Sequence, residues 1–265
     1  MYELIGQTNL MNKIMMTELS HFTILWGDKG SGKRSVATAI AKEKKLQFVE
    51  KFGSIDEIRE IIEESIGSSV RTLYYLKGDT ISIQAQNALL KIAEEPPANT
   101  YICIGVTDIH NILSTIVSRG KLFIMDNYSP EELGTMYDRL SMKDVSKDLI
   151  CSVSNTPGQM IEFLDNDFND MYEYALKVYR NILKVTTGNA FKICNQLAFK
   201  DGEGYPVELF LALFMRISAD KLEYDRYMTN KMVEYTSDAL KDMRIRGANK
   251  ALIFDIWVLN IRKLR

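Results

Sequence analysis

The sequence predicts an α/β domain, in which helices cover a parallel sheet, followed by a small helical lid and an all-α C-terminal domain. Three observations predict this order. Short β-rich runs alternate with helical patterns as far as residue 125, helix-start signals replace them after residue 126, and long helical patterns fill the chain from residue 165 onward. We therefore expect three domains, at residues 1–125, 126–165 and 166–265.

The strands are predicted by runs that are nearly continuous in apolar residues, a pattern typical of strands buried on both faces. The runs are Phe22–Trp26, Leu46–Val49, Thr72–Leu76 and Tyr101–Val106, with Lys121–Met125 as a candidate fifth. Between them, Ser54–Glu57 has the pattern of a capping box and begins a surface helix. Another helical pattern, Ala85–Ile92, must end before Pro96 because proline supplies no N–H and restricts the preceding residue.

Helices are predicted for the rest of the chain. Ser129–Glu132 and Thr156–Gln159 each combine an N-cap residue with a proline at the first helical position. The long helices are predicted over Met171–Leu183, Val207–Ile217 and Ala251–Leu264. Their candidate core residues are Leu209, Leu213, Met215, Ile253, Trp257 and Ile261. On the last helix, we also expect Leu252, Ile256 and Leu259 to form a buried stripe.

Composition narrows the class of protein. The 265 residues are 46% apolar and 26% charged, as in ordinary globular proteins, and the formal net charge of −2 gives no overall basic field for nucleic acid. The three cysteines have no C-x-x-C spacing and the two histidines share no ligand spacing with them, so we expect no zinc site. Widely spaced thiols, the lack of a leader-like beginning and the lack of a bilayer-length apolar run predict a cytoplasmic protein.

A candidate phosphate site follows the first predicted strand. Gly27–Lys33 matches the P-loop pattern G-x-x-x-x-G-K, with a predicted strand before it and a predicted helix after it. Glycines allow backbone N–H groups to converge on phosphate oxygens, and the lysine adds a positive charge near the terminal phosphates. The candidate nucleotide-binding residues of this segment are Gly27, Gly30, Ser31, Gly32, Lys33, Arg34 and Ser35. The alternative is a glycine turn with a solvent-facing lysine.

Two departures from the P-loop pattern predict weak or absent hydrolysis. Arg34 stands where Ser or Thr would bind Mg²⁺, and Ser35 is one residue late, which on a helix rotates its side chain by about 100°. After the third predicted strand, Leu76 and Lys77 stand where a hydrolytic enzyme carries metal-binding and water-activating acids. Asp79 is the nearest carboxylate, and an N-cap is its more expected role. We expect no metal ligands here, and at most ATP or ADP bound without efficient hydrolysis.

Three motifs closely resemble those of one family. Asn87–Lys91, Glu94–Pro97 and Thr115–Arg119 match the N-A-L-L-K, L-E-E-P-P and T-I-x-S-R-C series at the spacing found in the clamp-loader branch of the AAA+ proteins. Within that branch, the chain is most similar to the delta-prime subunits of bacterial DNA polymerase III. Ala93 and Gly120 replace the usual Leu and Cys of the series.

The resemblance implies an AAA+ module, a lid and a C-terminal collar domain, as part of a DNA polymerase III-type holoenzyme. In the family, the Arg of the S-R-C motif reaches into the ATP site of the neighbouring subunit, so the resemblance assigns Arg119, with Ser118, as an arginine finger in trans. Without the resemblance, Arg119 would be expected to cap a short helix or to pair with a surface carboxylate. Gly6 and Gln7 resemble the family's G-Q box, which approaches the adenine, whereas Thr156–Gln159 lacks the nucleotide-sensing Arg of active relatives.

The leading hypothesis is a non-hydrolysing clamp-loader subunit. The partners that the resemblance implies are gamma/tau-like ATPase subunits and a delta-like subunit, with the sliding clamp and primer-template DNA reached through the complex and no membrane. One alternative is a catalytically active AAA+ ATPase of DNA replication or repair, in which Asp79 or another carboxylate replaces the missing acids. Another is a nucleic-acid-binding module, since residues 241–265 carry seven Lys or Arg and two Asp.

Overall fold

The computed structural model describes residues 4–140, 144–165, 167–192, 194, 197–198, 205–221, 224–243, 245 and 247–265. The chain divides into two compact units. One unit is Met1–Arg139 with Thr156–Gln159, and the other is Leu140–Asn155 with Met160–Arg265. The division into three domains at residues 125 and 165 stays a prediction.

The first unit contains a parallel sheet with helices on both faces. The strands are β1 (Phe22–Trp26), β2 (Gln47–Lys51), β3 (Thr72–Lys77), β4 (Thr100–Val106) and β5 (Lys121–Ile124). The helices are α1 (Thr8–Met15), α2 (Lys33–Glu43), α3 (Ile55–Ser65), α4 (Ile83–Glu94), α5 (Ser114–Val117) and α6 (Pro130–Leu140), with short 3-10 turns at Gly78–Thr80 and Ile109–Asn111. The strand order is β2-β3-β4-β1-β5.

The observed strands confirm the predicted α/β fold. Each of the five predicted strands is present, with its ends shifted by at most two residues. Strands β1 and β5 run parallel, with Thr23 opposite Lys121 and Trp26 opposite Ile124. The two strands therefore begin at one edge of the sheet and end at the other. The segment after β1 and the segment before β5 consequently lie at opposite edges.

Alternate strand residues fill two apolar cores, one on each face of the sheet. On one face, Ile24 of β1 packs in a cluster with Ile58 of α3 and Leu89 of α4. On the other face, Leu25 packs in a cluster with Val36 of α2. Consecutive residues of β1 are thus buried on opposite faces, which explains why this strand has no polar alternation in the sequence.

Helices α3 and α4 begin with side-chain caps. The Ser54 hydroxyl accepts a hydrogen bond from the N–H of Glu57 (3.3 Å), and the Glu57 carboxylate accepts one from the N–H of Ser54 (2.9 Å). The predicted capping box is therefore confirmed. The Ser82 hydroxyl accepts from the N–H of Ala85 (3.2 Å) at the start of α4, and α4 ends at Glu94, before the proline pair.

The second unit is mainly helical. Its helices are α7 (Lys147–Val153), α8 (Pro157–Leu164), α9 (Phe168–Asn181), α10 (Thr187–Lys192), α11 (Val207–Asp220), α12 (Arg226–Met243) and α13 (Lys250–Arg262), the first turn of α8 belonging to the first unit. A short parallel pair joins β6 (Leu197–Ala198) to β7 (Tyr205–Pro206). These helices confirm the all-α character predicted for the C-terminal part, apart from that pair.

An aromatic cluster forms the core of the second unit. The Trp257 ring of α13 stands edge-on to the rings of Phe210 and Phe214 of α11, at centroid distances of 5.7 Å and 5.0 Å. The Trp257 indole N–H donates to the hydroxyl of Thr236 on α12 at 2.9 Å, and that hydroxyl donates to the Met232 carbonyl at 2.6 Å. The buried polar groups are thereby paired, so one ring joins three helices without an unsatisfied donor.

The predicted buried stripe on the last helix is wrong. Leu252, Ile256 and Leu259 are 55%, 50% and 45% exposed, whereas Trp257 and Ile261 are buried. Helix α13 carries apolar residues around most of its circumference, so its periodicity fits more than one buried face. Packing against α12 selects the face with the larger aromatic side chains. Of the other predicted core residues, Leu209 and Leu213 are buried, and Met215 and Ile253 are half-buried.

The helices and the potential metal-binding side chains of the described residues were compared with what a membrane span or a metal site requires. Over the described ranges, no helix combines the length and the apolar character needed to cross a membrane. Among the residues whose positions the structure gives, no group of three or more His, Cys, Asp or Glu side chains is placed to hold a metal ion. All three cysteines are buried, and burial raises the pKa of Cys103 and of Cys194 to about 12, which disfavours the thiolate form that binds metals.

Gly105 of β4 offers a test of the packing beneath the candidate site. A Cβ added at this position would clash with the hydroxyl of Tyr75. The distance from this Cβ to the Cζ atom of the Tyr75 ring would be only 3.0 Å. We expect Gly105→Ala to lower the free energy of unfolding by about 1–3 kcal/mol, because the buried tyrosine has little room to move. Tyr75→Phe in the Gly105→Ala background should recover part of this loss, since it removes the clashing oxygen. Urea denaturation of the variants measures both effects, and a Gly105→Ala chain as stable as the original would contradict this packing.

Candidate functional site

The candidate phosphate loop has the backbone geometry that its glycines allow. It connects the end of β1 to the start of α2. Gly30 has a φ of +78° and Gly32 a φ of +85°, values that residues other than glycine rarely adopt. The N–H of Ser31 donates to the Asp28 carbonyl (3.1 Å), and the N–H of Val36 donates to the Gly32 carbonyl (2.9 Å). The strand, loop and helix that a P-loop requires are all present.

The amine of Lys33 is bonded to its own loop. Its Nζ donates to the carbonyl oxygens of Gly27 (2.7 Å) and Asp28 (2.8 Å). The side chain is almost buried, and burial lowers the pKa of Lys33 against the opposing charges of Asp79 and Asp28. A phosphate group at this site would therefore have to replace two carbonyl contacts of this amine.

Other residues of the same unit cover the loop. The N–H of Gly158 donates to the Gly30 carbonyl (3.0 Å), and the Thr156 hydroxyl donates to the Lys29 carbonyl (3.0 Å). The Tyr128 hydroxyl donates to the Ser31 carbonyl (2.9 Å). Three successive loop carbonyls thus have donors from distant parts of the sequence, and they hold the loop in the observed conformation.

The contact between the loop and residues 156–159 is unusually close. A Cβ added to Gly158 would lie 2.5 Å from the Cα of Gly30. The Thr156 hydroxyl also accepts from the N–H of Gln159 (3.2 Å), so the N-cap predicted for this segment is confirmed. The Ser31 hydroxyl is buried beneath this cover, and it has no hydrogen-bond partner in the described part of the chain. Thr156–Gln159 therefore packs directly on the phosphate loop.

Arg34 and Ser35 are exposed on the first turn of α2. The Arg34 Nε donates to the Glu50 carboxylate of β2 at 2.6 Å, and its guanidinium lies 5.8 Å from the centre of the Phe48 ring. The side chain of Arg34 is thus directed along the sheet toward β2. The role of both residues as nucleotide ligands stays a prediction.

The last two residues of β3, Leu76 and Lys77, stand where a hydrolytic enzyme carries acids. Leu76 is fully buried in the apolar core. Lys77 is exposed, with its Nζ 3.6 Å from the Glu50 carboxylate and 4.6 Å from the centre of the Phe52 ring. The two side chains therefore point to different environments, and neither is chemically able to bind Mg²⁺.

Asp79 has a different role from the expected N-cap. Its Oδ1 accepts hydrogen bonds from the N–H and from the hydroxyl of Thr107, both at 2.8 Å. Helix α4 is capped by Ser82 instead. The N-cap interpretation of Asp79 is wrong because β3 and β4 are neighbours, which brings the end of β4 within reach of the turn after β3. The carboxylate joins the two strand ends.

Gly6 and Gln7 connect the start of α1 to the segment after β5. The Gln7 side chain donates to the Asp126 carbonyl (2.6 Å) and accepts from the Asp126 N–H (2.8 Å). Gly6 has a φ of +72°, and a Cβ there would lie 2.7 Å from the Tyr128 ring. These contacts position Tyr128 over the phosphate loop. An approach of this pair to an adenine stays a prediction.

Arg119 follows α5 and is bound on its own surface. One terminal nitrogen, Nη1, donates to the Thr115 carbonyl (2.9 Å), and the other, Nη2, lies 2.7 Å from the Glu94 carboxylate. The Ser118 hydroxyl donates to the same Thr115 carbonyl at 3.0 Å. At Gly120, a Cβ would lie 2.9 Å from the Ile24 side chain, so the backbone passes close to β1. Pairing with a surface carboxylate is the arrangement expected of Arg119 without the family resemblance.

The phosphate loop and Arg119 lie at opposite edges of the sheet. The loop follows the C-terminal end of β1, and Arg119 precedes the N-terminal end of β5. Because β1 and β5 are adjacent and parallel, the span from Thr23 to Trp26 alone separates the two edges by about 10 Å. The structure thus brings Gly27–Ser35 together and keeps Arg119 away from them.

Sequence reasoning missed Gln86 of α4. Its side chain is buried, donates to the carbonyls of Asn111 (2.9 Å) and Ile81 (3.2 Å), and accepts from the N–H of Leu113 (2.8 Å). These bonds fix the segment that leads into α5. The sequence contains no clear signal for it, because on a helix Gln86 is rotated by about 100° from Ala85 and so lies beside the apolar residues of the pattern.

The cover on the phosphate loop can be tested at Gly158. We expect Gly158→Ala to lower the free energy of unfolding by about 1–3 kcal/mol and to speed hydrogen exchange of the residue 158 amide, because the added methyl group separates the two backbones. The matched control is Gly188→Ala on α10, where a Cβ would meet nothing within 4 Å. The control should stabilise by up to about 1 kcal/mol, as alanine does in helices. Equal effects of the two changes would contradict the contact.

Comparison with known proteins supports the motif resemblance. The family model described as "DNA polymerase III, delta subunit" matches residues 44–129. DNA polymerase III subunit delta' of Bacillus subtilis (strain 168) is 26% identical over 218 residues, which cover 69% of this chain and 65% of the relative. DNA polymerase III subunit gamma of Buchnera aphidicola subsp. Acyrthosiphon pisum is 26% identical over 167 residues, which cover 49% of this chain and 46% of the relative. The chain therefore spans just under two thirds of the first relative and less than half of the second.

One solved structure has a similar fold. A RuvB mutant from Thermotoga maritima superposes with a TM-score of 0.50 at 16% sequence identity, covering 90% of this chain and 78% of that one. At this identity, the similarity concerns the fold alone. In sequence, the chain is thus similar to the delta' and gamma subunits of DNA polymerase III, and over residues 44–129 it matches the family model.

Proposed function

We propose that this chain is a non-hydrolysing subunit of a DNA polymerase III-type clamp loader in the cytoplasm. It assembles with gamma/tau-like ATPase subunits and a delta-like subunit, and it donates Arg119 to the ATP site of a neighbour. In this role it contributes to loading a sliding clamp on primer-template DNA, which it reaches through the complex. The delta' and gamma names of its relatives support the assembly with sister subunits.

The observation that carries this proposal is the position of Arg119 at the edge of the sheet opposite its own phosphate loop. From there the guanidinium cannot reach a phosphate held by Gly27–Lys33, because the length of the strands lies between them. The side chain is 38% exposed, so a neighbouring subunit can approach it. A planar, permanently charged group suits the charge on a transferring phosphoryl group.

The features of the chain's own loop support the lack of hydrolysis. Lys33 is bonded to loop carbonyls, Leu76 is buried in the core, and Lys77 replaces an acid. Hydrolysis needs a positioned metal ion and an oriented water, and the residues that would supply them in an active relative are missing. ATP or ADP that enters this loop would therefore be held without efficient turnover.

A competent ATPase is the second candidate function. Asp79 favours it, since its carboxylate is close enough to Lys33 to oppose the lowering of the lysine pKa. However, one of its two oxygens already accepts two hydrogen bonds from Thr107. Steady ATP turnover by the purified chain, abolished in Lys33→Ala, would favour this candidate.

The basic C-terminal tail gives less support to a nucleic-acid-binding module. Lys241 pairs with Asp238 (3.3 Å), and Lys250 pairs with Glu208 (2.5 Å). The Arg262 guanidinium donates to the carbonyls of Ile182 and Leu183, both at 2.8 Å. Two further arginines of the tail, at positions 244 and 246, lie outside the described residues. Salt-dependent DNA binding by the isolated chain would be the sign of such a module.

Arg119→Ala tests the finger. In a complex reconstituted with the ATPase and delta-like subunits from the same genome, we expect turnover at the site that Arg119 completes to fall by roughly a thousandfold, with assembly preserved. The readouts are DNA-stimulated ATPase and gel filtration. The matched control is Arg59→Ala on α3, which removes another exposed arginine that is ion-paired with Asp56 at 3.2 Å. A normal ATPase rate in the Arg119→Ala complex would refute the finger role.

Ile256→Glu tests the collar. We propose that the exposed stripe of Leu252, Ile256 and Leu259 on α13 packs against sister subunits, because apolar side chains in a row on one helix face suit helix packing. A buried, unpaired carboxylate should weaken the complex by about tenfold or more. Gel filtration with the sister subunits measures this, and Ile66→Glu, at an isoleucine that is 74% exposed in the first unit, is the control. Undiminished assembly of Ile256→Glu would exclude this surface.

A further inference from the structure

We propose that Glu94 is a positioning residue for Arg119: its carboxylate holds the guanidinium on the subunit's own surface and competes for it with the triphosphate of the neighbouring subunit. This inference rests on the proposed finger role of Arg119. Glu94 thereby regulates how easily the Arg119 guanidinium moves to the ATP of the neighbouring subunit.

The contact uses the nitrogens that a finger needs. Both terminal nitrogens of Arg119 are engaged within the subunit, Nη1 with the Thr115 carbonyl (2.9 Å) and Nη2 with the Glu94 carboxylate (2.7 Å). A guanidinium grips a phosphoryl group through parallel N–H bonds from such nitrogens. The guanidinium has five N–H groups, so these two contacts leave donors for a phosphate, and the competition is for the position and the charge of the guanidinium.

The packing of two helices sets the distance between Glu94 and Arg119. Glu94 is the last residue of α4, and Arg119 follows α5 by two positions. Gln86, on the same helix as Glu94, holds the segment before α5 through its hydrogen bonds to Asn111 and Leu113. Leu89 of α4 and Ile116 of α5 are both fully buried in one apolar cluster. The backbones that carry Glu94 and Arg119 are therefore held close to each other by the packing of α4 and α5.

The exposure of the pair makes the contact reversible. The side chains of Arg119 and Glu94 are 38% and 53% exposed. Ion pairs in such surroundings are weak, whereas a triphosphate carries more negative charge than one carboxylate. The guanidinium should consequently remain on Glu94 while the neighbouring site is empty and transfer to the phosphate when ATP arrives. The carboxylate also places a negative charge beside the incoming triphosphate.

Glu94→Gln in the reconstituted complex tests the competition. The uncharged amide keeps the shape of the side chain and loses most of its attraction for the guanidinium. We expect kcat/KM for ATP to rise about two- to fivefold, the range set by the strength of exposed ion pairs. Glu94→Asp, which retains the charge, should stay near the original value. A carboxylate with a merely structural role would give an unchanged or lower kcat/KM in Glu94→Gln, and either result would overturn the inference.

Asp56→Asn is the matched control, since it breaks another exposed carboxylate–arginine pair of the same unit, with Arg59 on α3. It should leave kcat/KM unchanged, and a rise equal to that of Glu94→Gln would overturn the inference by making the gain unspecific. A double-mutant cycle with Glu94→Gln and Arg119→Gln in the isolated chain measures the pair directly by urea denaturation. The two changes should be coupled, and strict additivity would also overturn the inference.

The same set of variants separates the two proposals. A complex with Arg119→Ala that hydrolyses ATP normally refutes the finger role itself. A complex that is inactive with Arg119→Ala but has an unchanged kcat/KM with Glu94→Gln leaves the finger role intact and refutes only the role of Glu94.

Discussion

The parallel pairing of β1 with β5 is the constraint on which the functional arrangement depends. With Thr23 opposite Lys121, the segment after β1 and the segment before β5 must lie at opposite edges of the sheet. The first segment is the phosphate loop, and the second carries Arg119. Since strands cannot reverse direction without losing the ladder and both cores, this separation is as firm as the fold itself. In the proposed function, the first edge faces the chain's own nucleotide and the second edge faces the nucleotide of a neighbour.

At the first edge, backbone carbonyls have acquired partners within the chain. Lys33 and the N–H of Gly158 bond to loop carbonyls, and the Tyr128 and Thr156 hydroxyls do the same. These hydrogen bonds hold the loop in the observed conformation. The loop thereby ties residues 156–159 to the rest of the first unit, a structural use of a motif that elsewhere binds phosphate.

At the second edge, helix α4 links the two regions of interest. Its N-terminal part lies next to the turn that holds Asp79, and its last residue contacts Arg119. The buried amide of Gln86 orients α4 relative to the segment before α5. A polar group buried at this position is stable only when all its bonds are made, which fixes the geometry more strictly than apolar contacts alone would.

The sequence alone determined the five strands, the capping box of α3, the strand-loop-helix context of Gly27–Lys33 and the missing acids at Leu76 and Lys77, because these depend on local pattern and residue chemistry. Only the tertiary structure decided that Asp79 binds Thr107, that Gln86 supports the segment before α5, and that Leu252, Ile256 and Leu259 are exposed. Each of these depends on which elements become neighbours. A helix with apolar residues on several faces, or a carboxylate within reach of two strand ends, has no single outcome until its surroundings are fixed.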